Sequence, residues 1–545
     1  MNDELRWDAP GPGSWELVAD HYPRPITACL QEFGATWSEA STRWMQDVGL
    51  PIERATMANV NGFAYVSIDA GGNGPAPPAW LMPVLVKLVP SLRRAERRLR
   101  TVFRERPWRE AIANWYGRDR DRAIARMLAL GTIDVSELDD AALAAHLDAC
   151  FAELMQSARE HLAMHAHDTF PAGLFILDCI EWGVDQSDAL DLLTGSSPAS
   201  RAASAELDEL RSAVAGRKAE DLDAVRAFGP DVRAALDRYL ERYGDRIIDG
   251  YDIDSATIRE HPELVVRLAT VPLSRVSVDN ARATTARLRI PAPQRAEFDE
   301  RLEEARAAYG VRDDNSGILI GWPAGLVRRG FLEAGRRLVA RGALTTVDLA
   351  IEATVDELTS ALVGRSRVDG GELERRAAHR RSHRAADAPR ILGDPPGAVP
   401  AMPGALGKVF QIFEMFEMSA DNTSGAATES LVHGIGIGTT AYTGVARLVP
   451  GGSVGIVAFE PGDVLVAPMT SPSYNVLLSM AGALVTEAGG LMSHAAIMAR
   501  ELGLPAVLGA PRVLDVIRDG DRVTVDPATG AVAVVERSPG VAAGV

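Results

Sequence analysis

The chain has 545 residues, 47% hydrophobic and 24% charged, with a formal net charge of −17. That length implies more than one domain of ordinary globular composition, and the negative balance disfavours a nucleic-acid or anionic-membrane partner. Cys29, Cys150 and Cys179 have neither disulfide nor metal spacing, and neither a basic-plus-apolar leader nor an apolar run of membrane-spanning length occurs, so a reducing, cytoplasmic setting is expected.

Residues 1–30 are rich in proline. His21-Tyr22-Pro23-Arg24-Pro25-Ile26-Thr27 is stiff, because proline fixes its own φ and restricts the residue before it. Such a loop either presents Arg24 and Thr27 to an anion or is an entry loop with a solvated arginine. From residue 83 to about 240 the period and the Ala, Leu, Arg and Glu content predict mostly helix. Residues 94–106 are strongly basic: one charged helix face, or a docking face for another subunit.

An amphipathic helix over 141–161 leads into His161-Leu162-Ala163-Met164-His165-Ala166-His167-Asp168. His161 and His165 share a helix face. Leucine after His161 breaks the HExxH zinc pattern, and no metal is expected. Either these are packing histidines, or His165 or His167 acts as base for an acceptor hydroxyl, with Asp168 orienting it. Residues 170–177 are apolar, walling a pocket or forming a core helix entered through Pro171. Residues 195–200 read as a turn and helix start.

Arg242-Tyr243-Gly244-Asp245-Arg246 and Asp249-Gly250-Tyr251-Asp252-Ile253-Asp254 mix turns, arginines and carboxylates. Arg246 is suited to clamping a phosphate or to a carboxylate pair. A charged helix is predicted over 293–310, followed by Arg312-Asp313-Asp314-Asn315-Ser316. Arg328 then lies at helix spacing from Phe331 and Leu332, and is a further phosphate candidate or a helix charge. Residues 364–403 read as a linker, with a first part able to form helix and a Pro-Gly-rich second part. Residues 409–418 are apolar and suit a helix. From Gly434 the texture changes to short strands, over 446–449, 454–459, 464–467, 483–486, 523–525 and 531–535. Strands with short helices imply a compact α/β domain.

The most informative stretch is Thr486-Glu487-Ala488-Gly489-Gly490-Leu491-Met492-Ser493-His494-Ala495-Ala496-Ile497, continuing through Arg500-Glu501-Leu502-Gly503-Leu504-Pro505. Ser493 is a good N-cap, Gly503 a C-terminal stop, and Pro505 blocks extension. His494 therefore stands in the first turn of a short helix. Unpaired N–H groups there suit an anion and disfavour a protonated imidazole. Such a ring is nucleophilic near pH 7, unless it merely caps or packs.

This stretch closely resembles the mobile phosphohistidine domain of the phosphoenolpyruvate-utilising enzymes. The resemblance implies that His494 carries a phosphoryl group, with Thr470 and Ser493 bonding the ring or the phosphate and Arg500 completing the motif. The Pro-Arg-Pro segment around Arg24, the Arg246 to Asp249 cluster with Pro262-Glu263, and the segment around Arg328 resemble the acceptor domain of the rifampicin phosphotransferase group. By that resemblance Arg24, Arg246, Asp249 and Arg328 line an acceptor or phosphate site, to which the reading of the residues above adds His165, His167 and Asp168.

The expected architecture is multidomain. A large, mostly α-helical acceptor domain (1–364) and a flexible hinge (365–404) precede a compact α/β swivelling phosphohistidine domain (405–545). No P-loop or ATP-grasp block is recognisable, which implies a separate ATP-grasp subunit binding ATP and Mg2+. That split organisation resembles phenylphosphate synthase and related alkylphenol-phosphorylating enzymes, and implies a phenolic acceptor. An antibiotic phosphotransferase and a non-catalytic phosphocarrier are the alternatives.

Overall fold

The computed structural model describes residues 5–19, 21–69, 77–196, 198–214, 216–270, 280–396, 402–416, 428, 430–451 and 455–538. The chain forms two compact units that each draw on several segments. One comprises Met1–His167, Tyr251–Asp254 and Ile318–Gln411; the other comprises Asp168–Gly250, Ser255–Gly317 and Ile412–Val545. As expected from the sequence, helices dominate and a mixed sheet lies near the C-terminus.

The first unit holds a four-stranded sheet built from β1 (Ser14–Leu17), β2 (Arg54–Val60), β3 (Phe63–Asp69) and β4 (Ile391–Gly393), in the order β2-β3-β1-β4. Asn61 and Gly62, at φ 53° and 81°, make the two-residue turn between β2 and β3. Asn-Gly suits that turn because both residues tolerate positive φ. Helices Met82–Leu88, Pro90–Glu105, Gly370–Ser382 and the long Trp322–Ala340 belong to this unit.

The segment expected as a hinge is folded through Gly393. Asp369 caps helix Gly370–Ser382 by accepting from Glu372 N, Arg380 on that helix is buried, and β4 pairs with β1. Its polar groups find partners in the unit, which is why a Pro- and Arg-rich stretch does not stay extended. Residues 397–401 lie outside the described residues.

The second unit holds an eight-stranded sheet built from β5 (Leu431–His433), β6 (Ile435–Ile437), β7 (Tyr442–Leu448), β8 (Val464–Ala467), β9 (Ala483–Thr486), β10 (Ala506–Leu508), β11 (Arg522–Asp526) and β12 (Ala531–Glu536). Its order is β5-β12-β11-β7-β8-β9-β10-β6, with parallel pairs from β7 through β10. The alternation of side chains explains the burial. Val464 and Val466 of β8 face one core with Val485, Val507 and Val523, while Leu465 faces the other with Leu484 and Ala496. That second core also takes Leu236, Leu264 and Leu268 from helices Pro230–Tyr243 and Pro262–Thr270. The sheet and these helices thus share one apolar interior, and the compact units cut across the boundary expected at 364–405.

Two local expectations fail for identifiable reasons. Residues 455–460 form turns rather than a strand: Gly455 sits at φ 81°, and Ile456 and Phe459 plug the core from the turn. Residue 454 lies outside the described residues, as do 197 of the expected 195–200 turn and 417–418 of the expected helix after 409. Pro171 does not start a helix but lies inside the continuous helix Asp140–Glu181. One missing N–H is offset where the flanking side chains, Phe170, Ala172 and Phe175, are all buried. Among the described residues no helix is long and apolar enough to cross a membrane.

Candidate active site

His494 opens helix His494–Leu502, between β9 and β10. Gly489, at φ 129°, makes the approach, and a Cβ there would stand 3.1 Å from Ser493 Oγ. Ser493 is extended at φ −66°, ψ 161°, and its hydroxyl accepts weakly from Ala496 N at 3.4 Å. Gly503, at φ 67°, ends the helix in the left-handed conformation. The sequence thus fixes the imidazole at the amide end of a nine-residue helix.

Two neutral groups hold the ring. Thr470 Oγ1 lies 2.8 Å from Nδ1, and Asn475 Oδ1 lies 2.9 Å from Nε2. A hydroxyl both donates and accepts, and an amide presents either end after a half-turn. Either ring tautomer is therefore accommodated without moving the ring. Among the described residues no carboxylate is hydrogen-bonded to the ring. Burial, with the nearby Arg312 guanidinium adding to it, depresses the imidazole from its ordinary 6.5 to about 3. The ring is neutral at pH 7.

The charge of Arg312 acts on both the ring and a buried acidic group. Asp168 accepts from Thr169 Oγ1 at 2.8 Å; burial pushes its carboxyl up to about 6, with Arg312 opposing. Burial likewise pushes Asp313 up to about 8, opposed by Arg312 and reinforced by Glu501, Asp168 and Asp314. Asp313 is therefore mostly protonated at pH 7. Among the described residues, no group of three His, Cys, Asp or Glu side chains is arranged to hold a metal ion.

The loop after β8 is anchored by its serines. Ser471 Oγ and Ser473 Oγ each donate to the Gly250 carbonyl at 3.2 Å. Pro472 then starts a short turn that delivers Asn475 to the ring. At the far end of the histidine helix, buried Glu501 accepts from Gly195 N at 2.9 Å.

The residues expected in the site part company here. Thr470 meets His494 directly. Ser493 caps the helix. Arg500, expected to be catalytic, is buried and donates to the carbonyls of Leu491 at 2.9 Å and Ala496 at 3.3 Å, so it braces its own helix. Arg246 lies over the Tyr243 ring at 4.4 Å and donates to the Arg242 carbonyl at 3.2 Å. Asp249 is fully buried. These residues belong to the unit that carries His494.

Arg24, His165, His167 and Arg328 belong to the other unit. There Arg24 pairs with Asp254 at 2.7 Å, and Arg328 donates to the Ile253 and Asp254 carbonyls at 2.9 and 3.1 Å. Both hold the short 251–254 segment. His165 Nε2 lies 3.3 Å from His161 Nε2, and burial depresses His167.

Sequence reasoning did not select Asn475 or Arg312. The signal for Asn475 was a proline-led turn after Thr470, which returns a side chain towards the strand end. Arg312 stood in a charged run that offered nothing to distinguish it.

Residues 459–530 match the mobile domain of the PEP-utilising enzymes. The chain is 30% identical over 251 residues to the uncharacterized phosphotransferase YvkC of Bacillus subtilis, covering 45% of this chain and 28% of that one. It is 29% identical over 320 residues to a rifampicin phosphotransferase of a Streptomyces species, covering 55% and 34%. It is 42% identical over 100 residues to the phosphoenolpyruvate synthase of Pseudomonas aeruginosa, covering 18% and 12%. The matched region thus spans about a third or less of each of these relatives. The histidine at the head of its helix, between two neutral hydrogen-bond partners, lies within the segment that matches the mobile domain of the PEP-utilising enzymes.

Proposed function

We propose that the chain is a phosphotransferase working through a phosphohistidine at His494. A separate ATP-grasp subunit, holding ATP and Mg2+, phosphorylates the ring, and the acceptor is a small phenolic hydroxyl. The α/β domain is the part that swings between donor and acceptor, parting as it does so from the apolar faces of helices Pro230–Tyr243 and Pro262–Thr270. The observation that carries this reading is the neutral imidazole at an amide-rich helix start, flanked by Thr470 and Asn475 and faced by Arg312.

The chemistry follows from those groups. In a dikinase of the paired-acceptor type the ring lone pair attacks a phosphorus of the ATP polyphosphate; an N–P bond forms and the bond from that phosphorus to the leaving nucleotide oxygen breaks. Mg2+ offsets phosphate charge while ATP is bound. Amide N–H groups at the helix start and the Arg312 guanidinium then stabilise the dianion. In the second step the acceptor oxygen attacks phosphorus, the N–P bond breaks, and the ring regains a neutral form as the hydroxyl proton is taken up. Positioning and charge stabilisation supply most of the rate.

Asp168 takes the role of proton acceptor in place of His165 or His167, because it shares the Arg312 guanidinium with His494. Its value of about 6 favours a phenol. A phenolic hydroxyl ionises near about 10, whereas an aliphatic one lies nearer water's value of about 15.7. A carboxylate reaches the first far more easily.

One finding favours a second acceptor, a hydroxyl of an antibiotic: the likeness to rifampicin phosphotransferase over 55% of the chain. The test is turnover with p-cresol and with rifampicin side by side, using ATP, Mg2+ and the donor subunit. The phenolic reading expects phosphorylated p-cresol and none of the antibiotic; the reverse result replaces it with the second acceptor. Turnover of either that survives His494→Ala removes the carrier role.

A further inference from the structure

Large apolar side chains are exposed at few places among the described residues, and three of them fall within nine residues of each other. Trp80, Val84 and Leu88 are 76%, 46% and 71% exposed. They recur every four residues through the turn Ala79–Leu81 and helix Met82–Leu88, so they form one stripe. The next helix, Pro90–Glu105, buries Ala95, Leu99 and Val102 and turns arginines outward. Among these, Arg93, Arg94 and Arg97 are exposed and have no carboxylate in ion-pair range among the described residues. An apolar stripe beside unpaired positive charge is unusual on a chain of net charge −17.

We propose that this face docks the separate donor subunit, and that the subunit's contact surface is an apolar groove rimmed by carboxylates. The inference rests on the donor-subunit reading above. Tryptophan and arginine are the side chains that most often dominate such contacts. Charge decides between occupants. A second copy docked through the same face would set arginines against arginines, since a two-fold interface is self-complementary. A lipid surface carrying negative charge would repel the rest of this acidic chain. A partner with an acidic rim meets neither obstacle. The face belongs to the unit that does not carry His494.

The experiment uses the full chain, the purified donor subunit and vesicles containing phosphatidylserine. Trp80→Ala with Leu88→Ala is expected to weaken donor-subunit binding by at least about 30-fold. Arg94→Glu with Arg97→Glu is expected to slow association about tenfold and flatten its salt dependence. Both pairs are exposed, so circular dichroism and melting temperature stay as in the wild type. At saturating donor subunit both variants still accept labelled phosphate on His494.

Wild-type labelling of His494, with both variants binding as tightly as wild type, overturns the docking face and leaves the carrier reading intact. Binding that the variants weaken, without label on wild-type His494, supports the face and removes the carrier reading. Failure of the wild type to bind the donor subunit, or vesicle flotation that the variants abolish, overturns the proposal.

Discussion

Each of the two compact units contains arginines gathered around buried carboxylates, and the two clusters behave differently. In the first, Arg380 bonds through all three guanidinium nitrogens. Arg380 pairs with Asp254, donates to the Pro25 carbonyl at 2.9 Å and reaches Glu352 at 3.3 Å, while Arg24 takes Asp254 from another side. Thr27 supplies its N–H and hydroxyl to Asp252, each at 2.7 Å. Burial would raise Asp254, but Arg380 and Arg24 outweigh it and hold the carboxyl below its ordinary range. Asp252 moves the other way, through burial and the Asp254 charge. This cluster ties the 251–254 segment into its unit.

The second cluster keeps its chemistry open. His494 is neutral, its partners are a hydroxyl and an amide, and the nearby acids Asp168 and Asp313 are pushed up to about 6 and 8. The contrast teaches that an arginine near aspartates says little until the charge states around it are known. A bonded network fixes the backbone; a neutral nucleophile beside a cation, a protonated Asp313 and a largely ionised Asp168 suits transfer.

The comparison is most exposed to Arg380→Ala. Removing that guanidinium strands Asp254 and Glu352, and unfolding in denaturant should show a loss of about 3–5 kcal/mol. A variant as stable as wild type would mean that the first cluster is not structural. Arg312→Ala should reduce phosphoryl transfer by about 100-fold in single-turnover kinetics. It should also raise the His494 ring pKa, because it removes a neighbouring positive charge. Unchanged kinetics would take Arg312 out of the site.

Asp313→Asn sharpens the same contrast through pH. The folded value of Asp313, about 8, lies above its ordinary 3.8, so its contribution to stability is complete below pH 3.8 and lost as pH rises towards 8. Asparagine has no proton to hold. The variant should gain on the wild type by roughly 3–4 kcal/mol between pH 5 and pH 8. A pH-independent difference would contradict the buried, protonated acid. The smallest effect belongs to Ser493→Ala, whose long cap bond at 3.4 Å predicts a loss of about 0.5 kcal/mol. A loss of transfer far beyond that would make Ser493 a ligand of the phosphate rather than a cap.

Much of the second unit was legible because its signals are local. Ser493, Gly503 and Pro505 bracket the histidine helix in sequence, and the strands of β8 and β9 read as apolar runs because both faces are buried. The turn at 455–460 was misread because Ile456 and Phe459 bury their side chains without a strand to carry them. The partners of Arg24, Arg328 and Arg380 were not legible. Arg24 meets a carboxylate 230 residues away, and Arg328 meets carbonyls 75 and 74 residues away. Residue type alone does not distinguish such a brace from a phosphate clamp. Arg312 was hidden for the same reason, since its significance comes from the ring and acids that the fold brings beside it.

The most direct test is to incubate the full chain with the ATP-grasp subunit, Mg2+ and phosphate-labelled ATP, then locate the label by peptide mapping. The account predicts an acid-labile, base-stable phosphoramidate on His494, absent from His494→Ala. Label confined to another residue, or a wild-type chain that takes up none while its donor subunit hydrolyses ATP, would contradict it.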